Sequence, residues 1–164
     1  MAKPLAFVGA KVTGGNPHVS VVKLIIKTLE GFGFEVPSQH NGSENPLETF
    51  RKYIGDPNAC EENHFRDKDY EWIEQSVLAV YEITHSSSGV GAEFEHTRMK
   101  PRLGLRKTPI LCLYDTDADR NFLSPMIGGV SKDEDHIWIR EYHSSSHVSE
   151  ILTTFVDHFF GTAA

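Results

Sequence analysis

The sequence has little of what secreted and membrane-bound proteins need. Its 164 residues include only two cysteines, Cys60 and Cys112, which are too few for a disulfide framework. Cys112 lies in an apolar run and is expected to be a small core residue. No apolar run approaches the ~20 residues of a membrane span, and the N-terminus carries no long apolar signal segment. We therefore expect an intracellular protein, cytoplasmic or, in a eukaryote, nuclear.

Positive charge is also scarce, which limits the partners that the chain can bind. Its 16 lysine and arginine residues stand against 23 aspartates and glutamates and give a net charge of −7. Nucleic-acid polymers and anionic membranes require clustered basic residues, so neither is an expected partner. A small anionic ligand stays possible, because one pocket can be locally positive.

Metal ligands are not arranged in any familiar pattern. The nine histidines show no metal-ligand spacing with cysteine or paired carboxylates. Asp115, Asp117 and Asp119 resemble the start of a calcium loop, but no glycine and glutamate follow at the required spacing. We expect neither a metal nor another cofactor.

Short apolar runs alternate with helix-like segments along the whole chain. Five runs predict strands, at residues 5–9, 34–36, 77–83, 109–114 and, as an edge strand, 136–139. Segments of helical periodicity lie between and after them, at residues 18–32, from Asn45 onward, 66–75, 91–99 and 148–160. This alternation is typical of a parallel sheet covered by helices. We expect residues 1–164 to form one domain, a Rossmann-like three-layer α/β sandwich with a five-stranded, mostly parallel sheet.

One stretch, residues 84–95, carries the strongest functional signal. It follows the apolar run 77–83, contains three serines and two glycines, and leads into a predicted helix. Strand, glycine-rich turn and helix together present backbone N–H groups to an anion. Glu93 is expected in the first turn of that helix. Loops after two other predicted strands, 9–15 and 115–119, should meet this turn at the carboxyl edge of the sheet, where such folds bind ligands.

A catalytic role for Glu93 requires a partner, and Asp69 on the preceding helix is the best candidate. Two carboxylates across a pocket, a nucleophile and a general acid, are what cleavage of a glycosidic bond requires. The plainer alternatives are that Glu93 only favours its helix N-terminus and that Asp69 is a solvated charge. Asp67 and Glu95 are nearby carboxylates that we expect at the surface, although Asp67 stays possible for the role of Asp69.

These residues resemble the nucleoside 2-deoxyribosyltransferase superfamily, and within it the 2'-deoxynucleoside 5'-monophosphate N-hydrolases. The resemblance covers about residues 5–130. It rests on Asp69-Tyr70-Glu71-Trp72-Ile73 and on Ser87-Ser88-Gly89-Val90-Gly91-Ala92-Glu93, with weaker likeness at Phe7-Val8-Gly9 and Leu123-Ser124-Pro125-Met126-Ile127.

The resemblance implies a role for each matching residue. Glu93 would attack C1' of a 2-deoxyribosyl group to form a covalent glycosyl-enzyme, while Asp69 would assist departure of the base and then activate water. Ser87 and Gly89 would hold the 5'-phosphate. The nucleotide loop would contribute Gly9, Lys11 and Thr13. Ser124 and Met126 would complete the site of a neighbouring subunit, so a homodimer is implied.

Departures from the family pattern leave other functions open. Thr13 stands where the hydrolases have an arginine, and Lys11 is the nearby residue that could supply its positive charge. Ala6 and Val77 stand where they have a tyrosine and an aspartate. One alternative function is a nucleoside 2-deoxyribosyltransferase, which passes the glycosyl group to a second base. Another is a nucleotide-binding module without turnover. The three serines favour a phosphorylated substrate, because an unphosphorylated nucleoside offers them no anion.

Overall fold

A computed structural model describes residues 2–57, 62–117, 123–130 and 132–161. Its four strands are β1 (Ala6–Gly9), β2 (Leu78–Glu82), β3 (Ile110–Asp115) and β4 (Ile137–Tyr142). Its six α-helices are α1 (Val19–Gly31), α2 (Pro46–Ile54), α3 (Glu62–Gln75), α4 (Ser88–Met99), α5 (Pro125–Gly128) and α6 (Ser145–Phe160). Short 3₁₀ turns occupy Gln39–Gly42 and Lys100–Leu103. Cys60 and Asp119 lie outside the described residues.

The sheet is parallel throughout, in the order β1-β2-β3-β4, so β4 forms an edge as predicted. The prediction of five strands is wrong by one. Residues 34–36 form only an isolated parallel bridge, Leu5 with Glu35. Its two hydrogen bonds run from Ala6 N to Glu35 O and from Glu35 N to Pro4 O. Pro37, which has no amide hydrogen to donate, follows immediately, and the pairing goes no further.

The two faces of the sheet are covered separately, which confirms the three-layer α/β sandwich. Alternate strand residues such as Val8 and Val80 pack against α1 and α6. Their neighbours Phe7, Ala79 and Tyr81 pack on the opposite side with residues of α2, α3, α4 and α5. Strands buried on both faces are expected in a parallel sheet. The face that carries Tyr81 is covered by α3, which carries Asp69, and by α4, which carries Glu93.

The prediction that Cys112 is a core residue is confirmed, and the predicted start of α4 is corrected. Cys112 is a buried, free thiol. Ser144 caps α6, its hydroxyl accepting a hydrogen bond from His147 N at 3.2 Å. Helix α4 begins at Ser88 rather than Gly91 because Ser87 caps it, its hydroxyl accepting from Val90 N. No helix among the described residues is long and apolar enough to cross a membrane.

Candidate active site

A cleft of about 760 Å³ opens at the carboxyl edge of the sheet. The loop after β1, the loop after β2, the turn at residues 39–42 and the helices α3 and α4 surround it. Its lining comprises Ala10, Lys11, Val12, Thr13, His40, Asn41, Pro46, Leu47, Phe65, Asp69, Ser86, Ser87, Ser88, Gly89, Val90 and Glu93. Six of the predicted site residues, Glu93, Asp69, Ser87, Gly89, Lys11 and Thr13, are thereby brought together, although they span most of the first hundred positions.

Glu93 lies in the second turn of α4, because the helix begins earlier than predicted. Its carboxylate is therefore not one of the charges that favour the helix N-terminus, and no acidic residue occupies that first turn. The side chain is half-buried, but the Oε2 atom is fully enclosed and accepts no hydrogen bond from any described residue. A buried carboxylate oxygen without a donor costs stability, so its presence calls for a chemical reason.

Asp69 faces the same cleft from α3 and is 8% exposed. Its Oδ1 atom lies 3.5 Å from Nε2 of His40. Asp67 points away from the cleft, since its side chain is 70% exposed beside Arg66. Of the two aspartates considered from the sequence, only Asp69 shares the cleft with Glu93.

The ionisation of Glu93 depends on its burial and on Asp69. Burial, and then the negative charge of Asp69, raise the pKa of Glu93 well above its ordinary value. Two carboxyls that repel each other keep one proton to a higher pH than isolated carboxyls would. A carboxyl group whose pKa is raised beside a second carboxyl group is an arrangement suited to acid-assisted bond cleavage.

His40 is a site residue that the sequence did not reveal. It is 2% exposed and is surrounded by the rings of Phe50, Phe65 and Trp72, with centroids between 5.3 and 6.1 Å from its own. This packing fixes the imidazole against Asp69. A single histidine in a region without apolar periodicity gives no sequence signal, because its partners come from two later helices.

The turn that carries His40 is attached to β1 by two buried hydrogen bonds. Ser38 Oγ accepts from Val8 N at 2.9 Å, and Asn41 Nδ2 donates to Val8 O at 2.8 Å. Both backbone groups of Val8 belong to the strand that ends in Gly9, so these bonds fix the turn to the strand beneath the cleft.

Residues 86–89, the serine loop, lie at the N-terminus of α4. Ser87 Oγ accepts from Val90 N at 3.3 Å, which leaves its own hydroxyl hydrogen free to be donated into the cleft. Ser86, Ser88 and Gly89 are exposed beside it. Hydroxyl groups and the first amides of a twelve-residue helix form a suitable surface for an anion.

Lys11 and Thr13, from the loop after β1, also line this cleft. Lys11 is half-buried, and within the described part of the chain no carboxylate pairs with its ammonium group. Thr13 is exposed. Lys11 is therefore the one lysine or arginine among the described residues that line the cleft, and Thr13 supplies a hydroxyl.

Gly9 lies beneath the cleft rather than in its wall. A Cβ atom at this position would come within 2.7 Å of Glu93 Oε2 and within 2.4 and 2.5 Å of two ring carbons of Tyr81. Its backbone is not in the left-handed region, so glycine is needed for space and not for conformation.

Ser124 and Met126 are not brought to the Glu93 cleft of their own chain. They line a second cavity of about 600 Å³, which also contains Ser86, Ser87 and Ser88. The serine loop therefore separates the two cavities. Met126 is 84% exposed, an unusual position for a large apolar side chain.

A buried polar network supports the loop after β2 from behind. Glu82 is 1% exposed, and its Oε1 accepts hydrogen bonds from Thr84 and from the Tyr142 hydroxyl. Thr84 Oγ1 in turn accepts from Asp115 N at 2.9 Å. Burial raises the pKa of Glu82. The network joins the ends of β2, β3 and β4, and so fixes the starting point of the serine loop.

No cluster of three or more histidine, cysteine, aspartate or glutamate side chains suited to a metal ion occurs within residues 2–57, 62–117, 123–130 and 132–161. His64 and His143 are exposed, while His85 and His96 are half-buried. His85 lines the second cavity beside the serine loop.

Comparison with known proteins places the chain among N-hydrolases of nucleotides, although no family model matches it. It is 30% identical over 131 residues to a 5-hydroxymethyl-dUMP N-hydrolase of Esox lucius, covering 80% of this chain and 81% of that protein. It is 28% identical over 155 residues to a Nematostella vectensis protein provisionally named 2'-deoxynucleoside 5'-phosphate N-hydrolase 1, covering 94% and 95%.

A solved structure shares the fold. The CMP N-glycosidase of Clostridium botulinum superposes with a TM-score of 0.56 at 15% identity, covering 91% of this chain and 98% of that one. At this level of identity the likeness concerns the arrangement of strands and helices alone.

The raised pKa of Glu93 leads to a prediction about stability. Glu93→Gln should raise the free energy of unfolding by about 1–3 kcal/mol near pH 8, and the gain should shrink as the pH falls toward 4.5. A pKa raised in the folded state means that the stability linked to this group is complete below its unfolded value of 4.5 and is lost as the pH rises through the folded value. Urea unfolding between pH 4.5 and pH 8 measures the difference.

The matched control is Glu95→Gln on the same helix, whose side chain is 52% exposed and stays solvated. It should show no comparable trend with pH. A gain for Glu93→Gln that is equal at every pH would contradict the assignment of a buried, unpaired carboxylate.

Proposed function

The chain belongs to the family of 2'-deoxynucleoside 5'-phosphate N-hydrolases, and we propose that it hydrolyses the N-glycosidic bond of 2'-deoxynucleoside 5'-monophosphates. The products are the free base and 2-deoxyribose 5-phosphate. The observation that carries the proposal is that Glu93 and Asp69 share one cleft, which the serine loop and Lys11 also line. The carboxylates suit the glycosidic bond, and the donors suit a phosphate.

The reaction proceeds in two displacements. A carboxylate oxygen of Glu93 attacks C1' while the bond from C1' to the base nitrogen breaks, and the departing base takes the proton of the Asp69 carboxyl group. Water then attacks C1' of the glycosyl-enzyme, Asp69 accepts its proton, and the ester bond to Glu93 breaks. His40, held by its aromatic neighbours against Asp69, positions that carboxyl group through both steps.

The phosphate is held by donors that this chain supplies from two loops. Ser87 offers its free hydroxyl hydrogen, the residues at the start of α4 offer amides, and Lys11 offers an unpaired ammonium group. A lysine provides a point charge where the related hydrolases have an arginine fork. We therefore expect phosphate binding to depend strongly on this one lysine.

The function is tested with a panel of substrates. Base release should be seen with deoxynucleoside 5'-monophosphates, among them dGMP and 5-hydroxymethyl-dUMP, and should be absent with the unphosphorylated deoxynucleosides. Exchange of base between deoxyguanosine and adenine would instead identify a transferase. Tight binding of the monophosphates without any release of base would identify a binding module.

Replacing the proposed nucleophile should separate binding from chemistry. Glu93→Ala should lower kcat for base release by at least about a thousandfold, because no other group can form the glycosyl-enzyme. The Kd for dGMP, measured by calorimetry, should change by less than about tenfold, since the phosphate donors remain. Asp67→Ala, which removes an exposed carboxylate that lines neither cavity, is the control and should retain full activity.

Lys11→Met should raise KM for monophosphates by about tenfold or more, the effect of losing one charge-assisted contact. Lys11→Arg should preserve or lower KM, because its guanidinium can bind two phosphate oxygens. The control is Lys27→Met on α1, an exposed lysine outside the cleft. Equal KM values for Lys11→Met and the unaltered protein would remove Lys11 from the phosphate site.

We propose in addition that the enzyme is a homodimer in which Ser124 and Met126 complete the neighbouring subunit's site. The exposure of Met126 (84%) and of the adjacent Leu123 (39%) supports a protein-covered surface here. So does the second cavity, which joins these residues to the serine loop.

Sedimentation velocity should give a dimer, and Met126→Glu should shift it to a monomer with reduced activity. Leu103→Glu, at an apolar side chain that is 55% exposed in a different turn, should leave the dimer intact. A fully active monomer at micromolar concentration would show that the site is complete within one chain.

A further inference from the structure

Tyr81 is a buried aromatic residue next to Glu93, the proposed nucleophile, and it has no part in the two proposed displacements. It lies on β2 and pairs in parallel register with Gly9 on β1. Both positions face the layer that contains α4. Because Gly9 has no side chain, the ring of Tyr81 extends over β1, and two of its carbons occupy the space of the missing Cβ atom.

The Glu93 side chain reaches the same Cβ position of Gly9 from α4. Its Oε2 atom would lie 2.7 Å from that Cβ position, while the ring carbons would lie 2.4 and 2.5 Å from it. The carboxylate oxygen and the aromatic ring are therefore neighbours above Gly9. The Oε2 atom that contacts this region is the one that is enclosed and accepts no hydrogen bond from the described residues.

The hydroxyl group of Tyr81 is directed away from Glu93. It lies 2.6 Å from Thr97 Oγ1, and the Thr97 hydroxyl donates to Glu93 O at 2.9 Å. Since the threonine has only one hydroxyl hydrogen and donates it to that carbonyl, Tyr81 must be the donor in its bond with Thr97. The phenol thus anchors the ring to α4, one turn beyond Glu93, and presents only carbon to the carboxylate.

The ring is also fixed on its flanks. Phe7 and Phe94 lie with their ring centroids 6.0 and 6.1 Å from that of Tyr81, and Tyr81 itself has no exposed surface. A ring held by two aromatic neighbours and one hydrogen bond has no room to change rotamer. It forms a rigid wall.

We propose that Tyr81 is a positioning residue for Glu93, its ring holding the carboxylate at a fixed angle and excluding water from Oε2. This inference rests on the proposed function in taking Glu93 as the nucleophile. With Oε2 enclosed and carrying no water, the carboxylate keeps its orientation and offers its other oxygen to C1', and enclosed sites strengthen electrostatic effects. The ring achieves this without donating a proton to the nucleophile.

Titratable groups surround this contact on the elements packed against it. Asp69 on α3 faces Glu93, and Cys112 on β3 faces Tyr81. His40 and Lys11 line the cleft from the two loops. Burial, followed by the charge of Glu93, raises the pKa of Tyr81 well above its usual value, so the phenol stays neutral throughout the working pH range.

The test compares variants that keep or remove the ring. Tyr81→Phe keeps the wall and should retain kcat within about fivefold. Tyr81→Leu opens the space to water, so kcat should fall by about ten- to a hundredfold while KM changes by less than about threefold. The acid limb of the pH profile of kcat should also move to lower pH, because a hydrated Glu93 ionises more readily.

Two further variants exclude a merely structural effect. Phe155→Leu removes a fully buried ring on the opposite side of the sheet and should leave the acid limb unmoved. Gly9→Ala approaches the same contact from β1 and should lower kcat, whereas Gly31→Ala, where an added Cβ would meet nothing within 4 Å, should not. Tyr81→Leu with the kcat and acid limb of the unaltered protein would overturn the proposal.

A measurement without substrate separates this inference from the proposed function. The pKa of Glu93 is followed by NMR in protein labelled with ¹³C in its glutamate carboxyl groups, with Glu93→Gln assigning the signal. The pKa should fall in Tyr81→Leu, or in Tyr81→Met if the leucine variant does not fold. An unchanged value would refute the role of the ring, whether or not the protein releases base from any nucleotide.

Discussion

The active site depends on one close approach between β1 and its neighbour. Parallel pairing places Gly9 beside Tyr81, and the missing side chain on β1 leaves space that the tyrosine ring and the Glu93 carboxylate share. If residue 9 carried any side chain, α4 would have to move away from the sheet. The depth at which Glu93 is buried, and hence its ionisation, follows from this single absent Cβ atom.

The buried carboxylates lower the stability of the folded state, and other parts of the fold offset this loss. An enclosed carboxylate oxygen without a donor destabilises the folded state, and a second carboxylate, Asp69, adds repulsion. Two separate apolar cores, one on each face of the sheet, supply the compensating burial. Polar networks hold the loops in addition, with Ser38 and Asn41 bound to Val8 and Thr84 bound to Glu82. Strain of this kind is common where chemistry is done.

The serine loop divides the catalytic surface into two parts with different requirements. On one side the cleft holds the carboxylate pair and Lys11. On the other side a cavity contains Ser124 and the exposed Met126. A shared fold does not by itself specify a reaction, and the distant likeness to a CMP N-glycosidase concerns the fold alone. The residues of the cleft and the closer N-hydrolase relatives are what support hydrolysis of an N-glycosidic bond.

The sequence by itself determined the alternation of strands and helices, the strand–glycine-rich turn–helix arrangement at residues 84–95 and the candidacy of Glu93, because each depends on residues that are neighbours along the chain. The preference for Asp69 over Asp67 needed the spacing of a known family, and the structure separates the two by exposure. Only the tertiary structure decided the parts made by distant residues. Residues 34–36 pair through one bridge because Pro37 follows, His40 meets Asp69 through aromatic packing, and Tyr81 reaches Glu93 across Gly9. Local patterns do not encode such contacts, since they arise when strands pair and helices pack.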